Sequence, residues 1–538
     1  ARLFGQLVES PALLSRFGVS QPSCGVSLKG LFLCNRENYT CETIRLLPYR
    51  ALTEPVPLLH FDFSKLRKLC ASLGSWLDAP VELRAQEAGQ AHLLAFWWEL
   101  ELDEEGCCRI HTSPKGGCDS WQQAVKPLGS TSRAVHVGEA LRLQFRVRVD
   151  GFDCCLEAGQ EGQQQTDTSS EASVLPAPLV LELGEEELIR LNNAAHWHQV
   201  QRSVSSALAS LATGSLLNIL DLSVGDVPFA IVLATMACCG ETSPISFQAG
   251  FARAGGEAEV AAAGVLLRAN LPAAFVEKLT VLVASPLEVL QAALPSLRSV
   301  SHGPECAGAL GASAAGLLVL ADDAVQNSGA LRPGVLEDLA LLWRFCRGGP
   351  LGDATPGGLQ LHHRVHVVPE AVLLHVTLVE SVQLARRASV VEAVSGLDVS
   401  RINVLSVPMF LDMDEAEVMP RRLSVKTEAL VLPLGSPTLL TVLDGLSVDG
   451  GRKASVRLTV TSTGRAHAVL TEFVWTGSST ARADVGAPEK LAGVMWPMAN
   501  GEEPPIVDPG DVVELSIGYS PARGLIVQIA SFERRRGR

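Results

Sequence analysis

Four short stretches carry residue types that could do chemistry. His362-His363-x-x-His366 and His196-x-His198 place imidazoles close together, but neither has a cysteine or carboxylate at a spacing that completes four-fold coordination, so no metal is expected. Asp322-Asp323 follows the apolar run "GLLVL" (316–320), and the plain expectation for such a pair is a solvated strand end. Residues 216–227, "LLNILDLSVGDV", read as a strand and a turn with a helix to follow. Glycine spacing alone supports no more than a ligand-free connection there. No GxSxG, Walker or HExxH pattern occurs.

The elements that must position these residues begin with a repeat. Leu7-Val8-Glu9-Ser10 returns as Leu378-Val379-Glu380-Ser381, 371 positions later, and Leu52-Thr53 returns as Leu423-Ser424 at the same spacing. "GQAH" (89–92) is answered by "GRAH" (464–467), Pro127 by Pro497, and "VGEALRLQF" (137–145) by "PGDVVELSI" (509–517). The spacing drifts by a few residues, as loop insertions would cause, so 1–155 and 372–530 read as two copies of one unit. "ALRLQFRVRV", "VVELSIGYS", "HLLAFWWELEL" and "ASVRLTVTST" alternate apolar and polar, the mark of half-buried strands. Each copy is expected to be an antiparallel β-barrel or sandwich, with Trp97, Trp98 and Trp121 in its core.

Between the copies the pattern changes. Unbroken apolar runs at 216–222, 244–248, 279–285 and 316–322 alternate with helical patterns, "QVQRSVSSALASLA", "EAEVAAAGVLLRA", "LEVLQAAL" and "VLEDLALLWRFC". Strands without a polar face belong to sheets covered on both sides, so this is a parallel, Rossmann-like lobe. The expected fold class is α/β plus all-β: a β-barrel domain over 1–159, a polar linker over 160–182, a Rossmann-like lobe over 183–365 and a second β-barrel over 366–538.

The bulk numbers narrow the function. The chain has 538 residues and a formal net charge of −14, which favours a cationic partner over nucleic acid or anionic lipid. The basic run Arg534, Arg535, Arg536 and Arg538 reads as a solvated tail. Thirteen cysteines are scattered without a CxxC, as expected in a reducing compartment, so a cytoplasmic location is expected, with the nucleus as the alternative. The apolar stretches 227–240 and 306–321 are too short to span a bilayer, and no membrane role is expected. The first residue, Ala1, falls inside a strand pattern, as in a chain whose N-terminal part is missing.

A Rossmann-like lobe followed by a β-barrel that opens on "VES" resembles the protein arginine methyltransferases, and two such modules in one chain resemble the tandem-module members. "HWH" (196–198), "ILDLSVGDV" (219–227), "ADDAVQNSGALRPGVLEDLALLW" (321–343), "SWQQAV" (120–125) and "FDF" (61–63) carry the likeness. Residues 1–155 would then be the barrel of module one and 183–538 all of module two. The resemblance implies transfer of a methyl group from S-adenosylmethionine to an arginine of a protein substrate. That chemistry asks for paired carboxylates that hold and orient the guanidinium.

Carried onto this chain, the resemblance puts Asp221 where the family's acid follows the first strand, and Gly225 at the second glycine of its donor loop. Ser223 and Val227 stand at the other two glycine positions. Gln248 stands at the ribose-binding acid, and Asp322 or Asp323 at the first glutamate of the double-glutamate loop. Arg332-Pro333 lies near the second glutamate, where its charge would repel a substrate. Trp121 matches the Trp of the Thr-His-Trp loop, with Asp119-Ser120 in place of Thr-His. The expected role is a degenerate second module kept as an intramolecular dimer partner and substrate-binding scaffold. The alternative is a scaffold or protein-binding module with no active lobe at all. A carbohydrate- or protein-binding β-sandwich is a third class, which the parallel lobe between the copies disfavours.

Overall fold

The computed structural model describes residues 1–19, 23–37, 39–61, 80–103, 107–115, 121–128, 133–147, 152–156, 179–210, 216–223, 227–238, 246–247, 250–253, 257–272, 280–283, 316–326, 329–332, 334–347, 365–388, 393–394, 397–398, 410–414, 419–447, 453–475, 490–495, 504–520 and 524–534. The chain forms two compact units, Ala1–Gln21 with Phe32–Asn192, and Pro22–Leu31 with Asn193–Arg538.

In the first unit, strand Arg2–Glu9 is the hub. It pairs antiparallel with Leu93–Glu101, Arg50–Ala51 and Val56–His60, and Gln123–Pro127 and Thr40–Glu42 extend the sheet beyond Leu93–Glu101. A second sheet joins Val81–Arg84, Ala140–Val147 and Phe152–Leu156. Leu7 belongs to a core with Leu52, Leu83, Leu94, Leu141 and Phe145. Its neighbour Val8 points the other way, into a second core with Leu13, Ile44 and Val125. Successive residues of a strand face opposite sides, so burial on both sides explains why "GQLV" lacks clean alternation.

The same ladder recurs in the second unit. Strand Val372–Glu380 pairs with Ala468–Trp475, Arg421–Arg422 and Thr427–Leu432. A bulge falls between Leu3 and Phe4 in the first hub strand and between Leu374 and His375 in the second. Thr53 Oγ1 accepts from Leu7 N, and Ser424 Oγ from Leu378 N. Ser10 Oγ caps one short helix at Leu13 N, and Ser381 Oγ caps its twin at Leu384 N. Such a cap is worth about 1 kcal/mol. Glu9 pairs with Arg50, and Glu380 with Arg421. These matches reach individual hydrogen bonds, which chance similarity of two strands would not produce. Pro497 lies outside the described residues.

Three expectations change here. Among the described residues neither copy closes into a barrel; the first has a seven-stranded sheet, a three-stranded sheet and the pair Gly89–Ala91 with Arg133–Val135, and the second a six-stranded sheet, a three-stranded sheet and the pairs Gly464–Arg465 with Ile506–Val507 and Ala393–Val394 with Leu397–Asp398. In the first copy one core joins Leu7 and Leu94 of the larger sheet to Leu83, Leu141 and Phe145 of the smaller, an arrangement a sandwich achieves without a continuous ladder. The linker expected over 160–182 is shortened by strand Leu179–Leu183; its residues 160–178 lie outside the described residues. Trp97 is buried, but Trp121 is 47% exposed.

In the second unit a parallel sheet runs Ser246–Phe247, Leu216–Asp221, Gly316–Leu320, Val365–Val368, and Gly250–Arg253 pairs in parallel with Thr280–Val283. Every residue of Gly316–Leu320 is buried, as a doubly covered strand requires. Helices Ala194–Ala209, Phe229–Cys238, Glu257–Asn270 and Val335–Cys346 accompany it. The helical pattern at 287–294 lies outside the described residues. Helix Val335–Cys346 also packs toward the second antiparallel region, where Trp343 Nε1 donates to the Leu434 carbonyl (2.8 Å) and Tyr519 Oη to Glu337 Oε1 (2.7 Å). A buried indole needs such an acceptor.

Candidate functional site

The carboxyl ends of parallel strands are where α/β sheets bind ligands, and two central strands end here on acids. Leu216–Asp221 ends on Asp221, 1% exposed; Gly316–Leu320 is followed by Ala321, Asp322 and Asp323. The backbone carries the pairing one step past both strands, with Leu222 N donating to Leu320 O and Ala321 N to Val368 O, each at 2.7 Å.

The side chains at this edge bind one another. Asp221 Oδ1 accepts from Ser223 N (2.9 Å). The Ser223 hydroxyl donates across to Asp322 Oδ1 (2.5 Å). Asp322 is also 1% exposed, so the solvated strand end expected from sequence is instead a buried carboxylate. Burying a charge is costly unless it is hydrogen-bonded, and the Ser223 hydroxyl supplies one such bond. On its other side, His196 Nε2 lies 3.5 Å from Asp322 Oδ2. That imidazole stands edge-on to Trp197 and to Trp475, with ring centroids 4.8 and 5.5 Å away. Val227, 1% exposed, leads into Phe229–Cys238, a helix with eight buried residues.

Arg332 also reaches this edge, at the Leu222 carbonyl. Its side chain is 9% exposed. Nη2 donates to the Leu222 carbonyl (3.0 Å) and lies 3.6 Å from Asp338 Oδ2. Nε lies 3.1 Å from Asp323 Oδ1, an ion-pair contact whose N–H direction falls short of a hydrogen bond. Burial raises the pKa of the Asp338 carboxyl, and the Arg332 charge offsets part of that rise. The arginine expected to add bare positive charge to this edge is thus matched by two carboxylates and a carbonyl.

Of the candidate residues, Asp221, Asp322 and Asp323 come together. Gly225 and Gln248 lie outside the described residues, as do His362, His363 and Asp119-Ser120. Trp121 belongs to the first unit. Of the histidines in the two spacings, His198 Nδ1 lies 3.4 Å from Cys24 Sγ and His366 lies beside Ser210; among the described residues no group of three or more His, Cys, Asp or Glu is placed to hold a metal ion. Sequence reasoning missed Asp338 and the contact of His196. Asp338 had a signal, an acidic first helical turn six residues after a lone arginine; the His196 contact had none.

Among the described residues of this edge, the Ser223 hydroxyl and Asp221 Oδ1 are engaged within the protein, and Val227 is β-branched. No helix among the described residues is long and apolar enough to cross a membrane.

No protein-family model matches the chain. Among curated proteins it is similar to protein arginine N-methyltransferase 7 of Oryza sativa subsp. japonica, 24% identical over 147 residues, which is 24% of this chain and 20% of that protein. It is also similar to protein arginine N-methyltransferase 7 of Drosophila persimilis, 30% identical over 66 residues, 12% of this chain and 9% of that protein. The matches thus span about a fifth or less of those relatives' length. Among solved structures, the Trypanosoma brucei PRMT1 enzyme-prozyme heterotetrameric complex with AdoHcy aligns with a TM-score of 0.38 at 11% identity, over 63% of this chain and 91% of that one. A crystal structure of PRMT6 aligns with a TM-score of 0.40 at 13% identity, over 63% and 96%. Over part of its length, the chain is similar to the arginine methyltransferases.

Proposed function

We propose that the chain is part of a tandem-module, arginine methyltransferase-like protein, and that its second unit is a non-catalytic module. In this reading the second module pairs with the first inside one chain and helps to bind arginine-containing protein substrates, while methyl transfer from S-adenosylmethionine belongs to a lobe of the first module. The proposed location is cytoplasmic.

The observation that carries the reading is the Ser223–Asp322 hydrogen bond. It ties together the two strand ends between which a donor would lie and satisfies a buried carboxylate from within. The twinned ladders of the antiparallel regions support the tandem arrangement, and the sequence similarity to protein arginine N-methyltransferase 7 supports the class. A net charge of −14 suits a cationic partner.

Calorimetric titration of the full chain with S-adenosylmethionine tests the proposal. Losing one charge-assisted hydrogen bond costs a ligand about 1.5–3 kcal/mol, and the filled turn adds to that, so no micromolar binding is expected. A micromolar Kd would overturn it.

A further inference from the structure

The two antiparallel copies differ in what they place beside their hub strands. In the second copy a recess is lined by His375, Thr377, Arg422, Lys426, Leu470 and Glu472. The ladders give each of these a counterpart in the first copy. Thr377 pairs with Leu470 and His375 with Glu472, as Gln6 pairs with Ala95 and Phe4 with Trp97. Arg422 opposite Val379 answers Ala51 opposite Val8, and Lys426 answers Pro55 at the same spacing of 371. The first copy thus carries no ionisable side chain at these positions, and the second carries a histidine, an arginine, a lysine and a glutamate.

Hydrogen-bond donors are in excess there. Thr377 is 6% exposed, and its hydroxyl makes no hydrogen bond among the described residues. At the same position of the first copy, Gln6 Nε2 donates to the Thr53 carbonyl (2.6 Å); the shorter threonine makes no such bond to Ser424. A polar group left unbonded at this depth is costly unless something else meets it. Lys426 Nζ pairs with Glu472 Oε2, which leaves the ammonium further N–H donors. Arg422 is exposed and adds a planar fork of donors. Against these, Glu472 is the acidic residue that lines the recess. Glu428, the ladder partner of His375, is exposed and does not line it. The complementary ligand is therefore rich in acceptors and negatively charged.

We propose that this recess binds a small oxyanion, the phosphate or carboxylate group of a ligand, with Arg422 and Lys426 as its charge partners and the Thr377 hydroxyl as the donor at its floor. The recess measures about 10 Å³, room for one water-sized atom. A single ligand oxygen enters beside Thr377, and the rest of the group stays against the Arg422 fork, which suits an oxyanion face. The inference goes beyond the proposed function and holds whether or not the unit binds S-adenosylmethionine.

The test is equilibrium binding to the full chain, with inorganic phosphate and acetate as probes. Holding the ionic strength fixed removes general screening from the comparison. Saturable binding of at least one probe at millimolar concentration is expected. Arg422→Ala should weaken it at least tenfold, and Thr377→Val, which keeps the shape and removes the hydroxyl, several-fold. Lys453→Ala removes an equal charge from an exposed position outside the recess and should leave binding unchanged. Glu472→Gln should tighten binding, because it removes the opposing charge; weaker binding in that variant would overturn the proposal. Tighter binding of phosphate than of acetate assigns a phosphoryl group to the site, and the reverse a carboxylate. No saturable binding of either probe, or equal weakening by Arg422→Ala and Lys453→Ala, would also overturn it. If Arg422→Ala does not fold, Thr377→Val decides, and native affinity in that variant overturns the proposal. Because none of these readouts involves a methyl donor, their failure would leave the donor titration to be judged separately.

Discussion

Replacing Ser223 by alanine isolates the contact on which the reading of the donor edge depends. The two side chains are 4% and 1% exposed, so no water takes the place of the lost hydroxyl at once. The volume change is one oxygen atom, so cavity formation contributes little. What is lost is a hydrogen bond to a buried carboxylate, about 1.5–3 kcal/mol. Asp322 keeps His196 nearby, which puts the expected loss toward the lower half of that range. A chain of two units need not unfold in one step, so a global melt is a poor reporter. Hydrogen exchange in peptides covering 216–223 and 316–323 is better, because Leu222 N and Ala321 N are bonded across this edge. Their exchange should speed up roughly ten- to a hundredfold. In an Asp322→Asn background the same Ser223→Ala change should cost much less, giving a coupling of about 1 kcal/mol. Exchange within twofold of the native chain, or an equal acceleration in both backgrounds, would refute the idea that this bond closes the edge.

Two further outcomes are expected. A Cβ at Gly89 would run into Arg50, Glu9 and the buried Leu52, and one at Gly464 into Arg421, Glu380 and the buried Leu423; Gly89→Ala and Gly464→Ala should each destabilise their own unit by about 1–3 kcal/mol, and a neutral result at either in chemical denaturation would break the equivalence of the two copies. Burial lowers the pKa of His92, His366 and His467 from the usual 6.5. As pH falls, the unfolded chain therefore takes up these protons first, so stability is complete above about pH 6.5 and is lost below it, by at most about 1.4 kcal/mol per pH unit for each histidine. His467→Gln should flatten the fall in denaturation midpoint between pH 7.5 and pH 5; an unchanged slope would mean that His467 is not held neutral by the fold.

Much of the fold is legible because it is written in local patterns. Helix Val335–Cys346 coincides with its apolar periodicity, since one face of that helix is buried and the other is not. The repeat is legible because equivalent ladders need equivalent residues: a Leu-Val pair buried on both faces, a Ser that caps a helix, and a Thr or Ser whose hydroxyl accepts a strand amide. Helix Phe229–Cys238 is harder to read. Eight of its ten residues are buried, so it has no polar face to set a period, and it is expected only from its place after a strand and a turn, its own stretch reading as an apolar run. Strand Gly250–Arg253 has too few apolar residues to stand out.

At the candidate site, sequence alone determined which residues bear charge and that Asp221 and Asp322-Asp323 follow apolar, strand-like runs; that those strands are neighbours is a matter of their pairing in the sheet. Tertiary structure decided what those charges do. Whether Asp322 is solvated or buried depends on the elements that cover it, and Ser223 reaches it across 99 residues of chain. Arg332 read as an uncompensated charge because its partners are set by folding and not by spacing: Asp338 comes from the next helix and the Leu222 carbonyl from a strand 110 residues earlier. Periodicity reports which face of an element is buried. The partner of a buried charge is fixed only when separate elements converge, because charge pairing acts over a few ångströms of space and not along the chain.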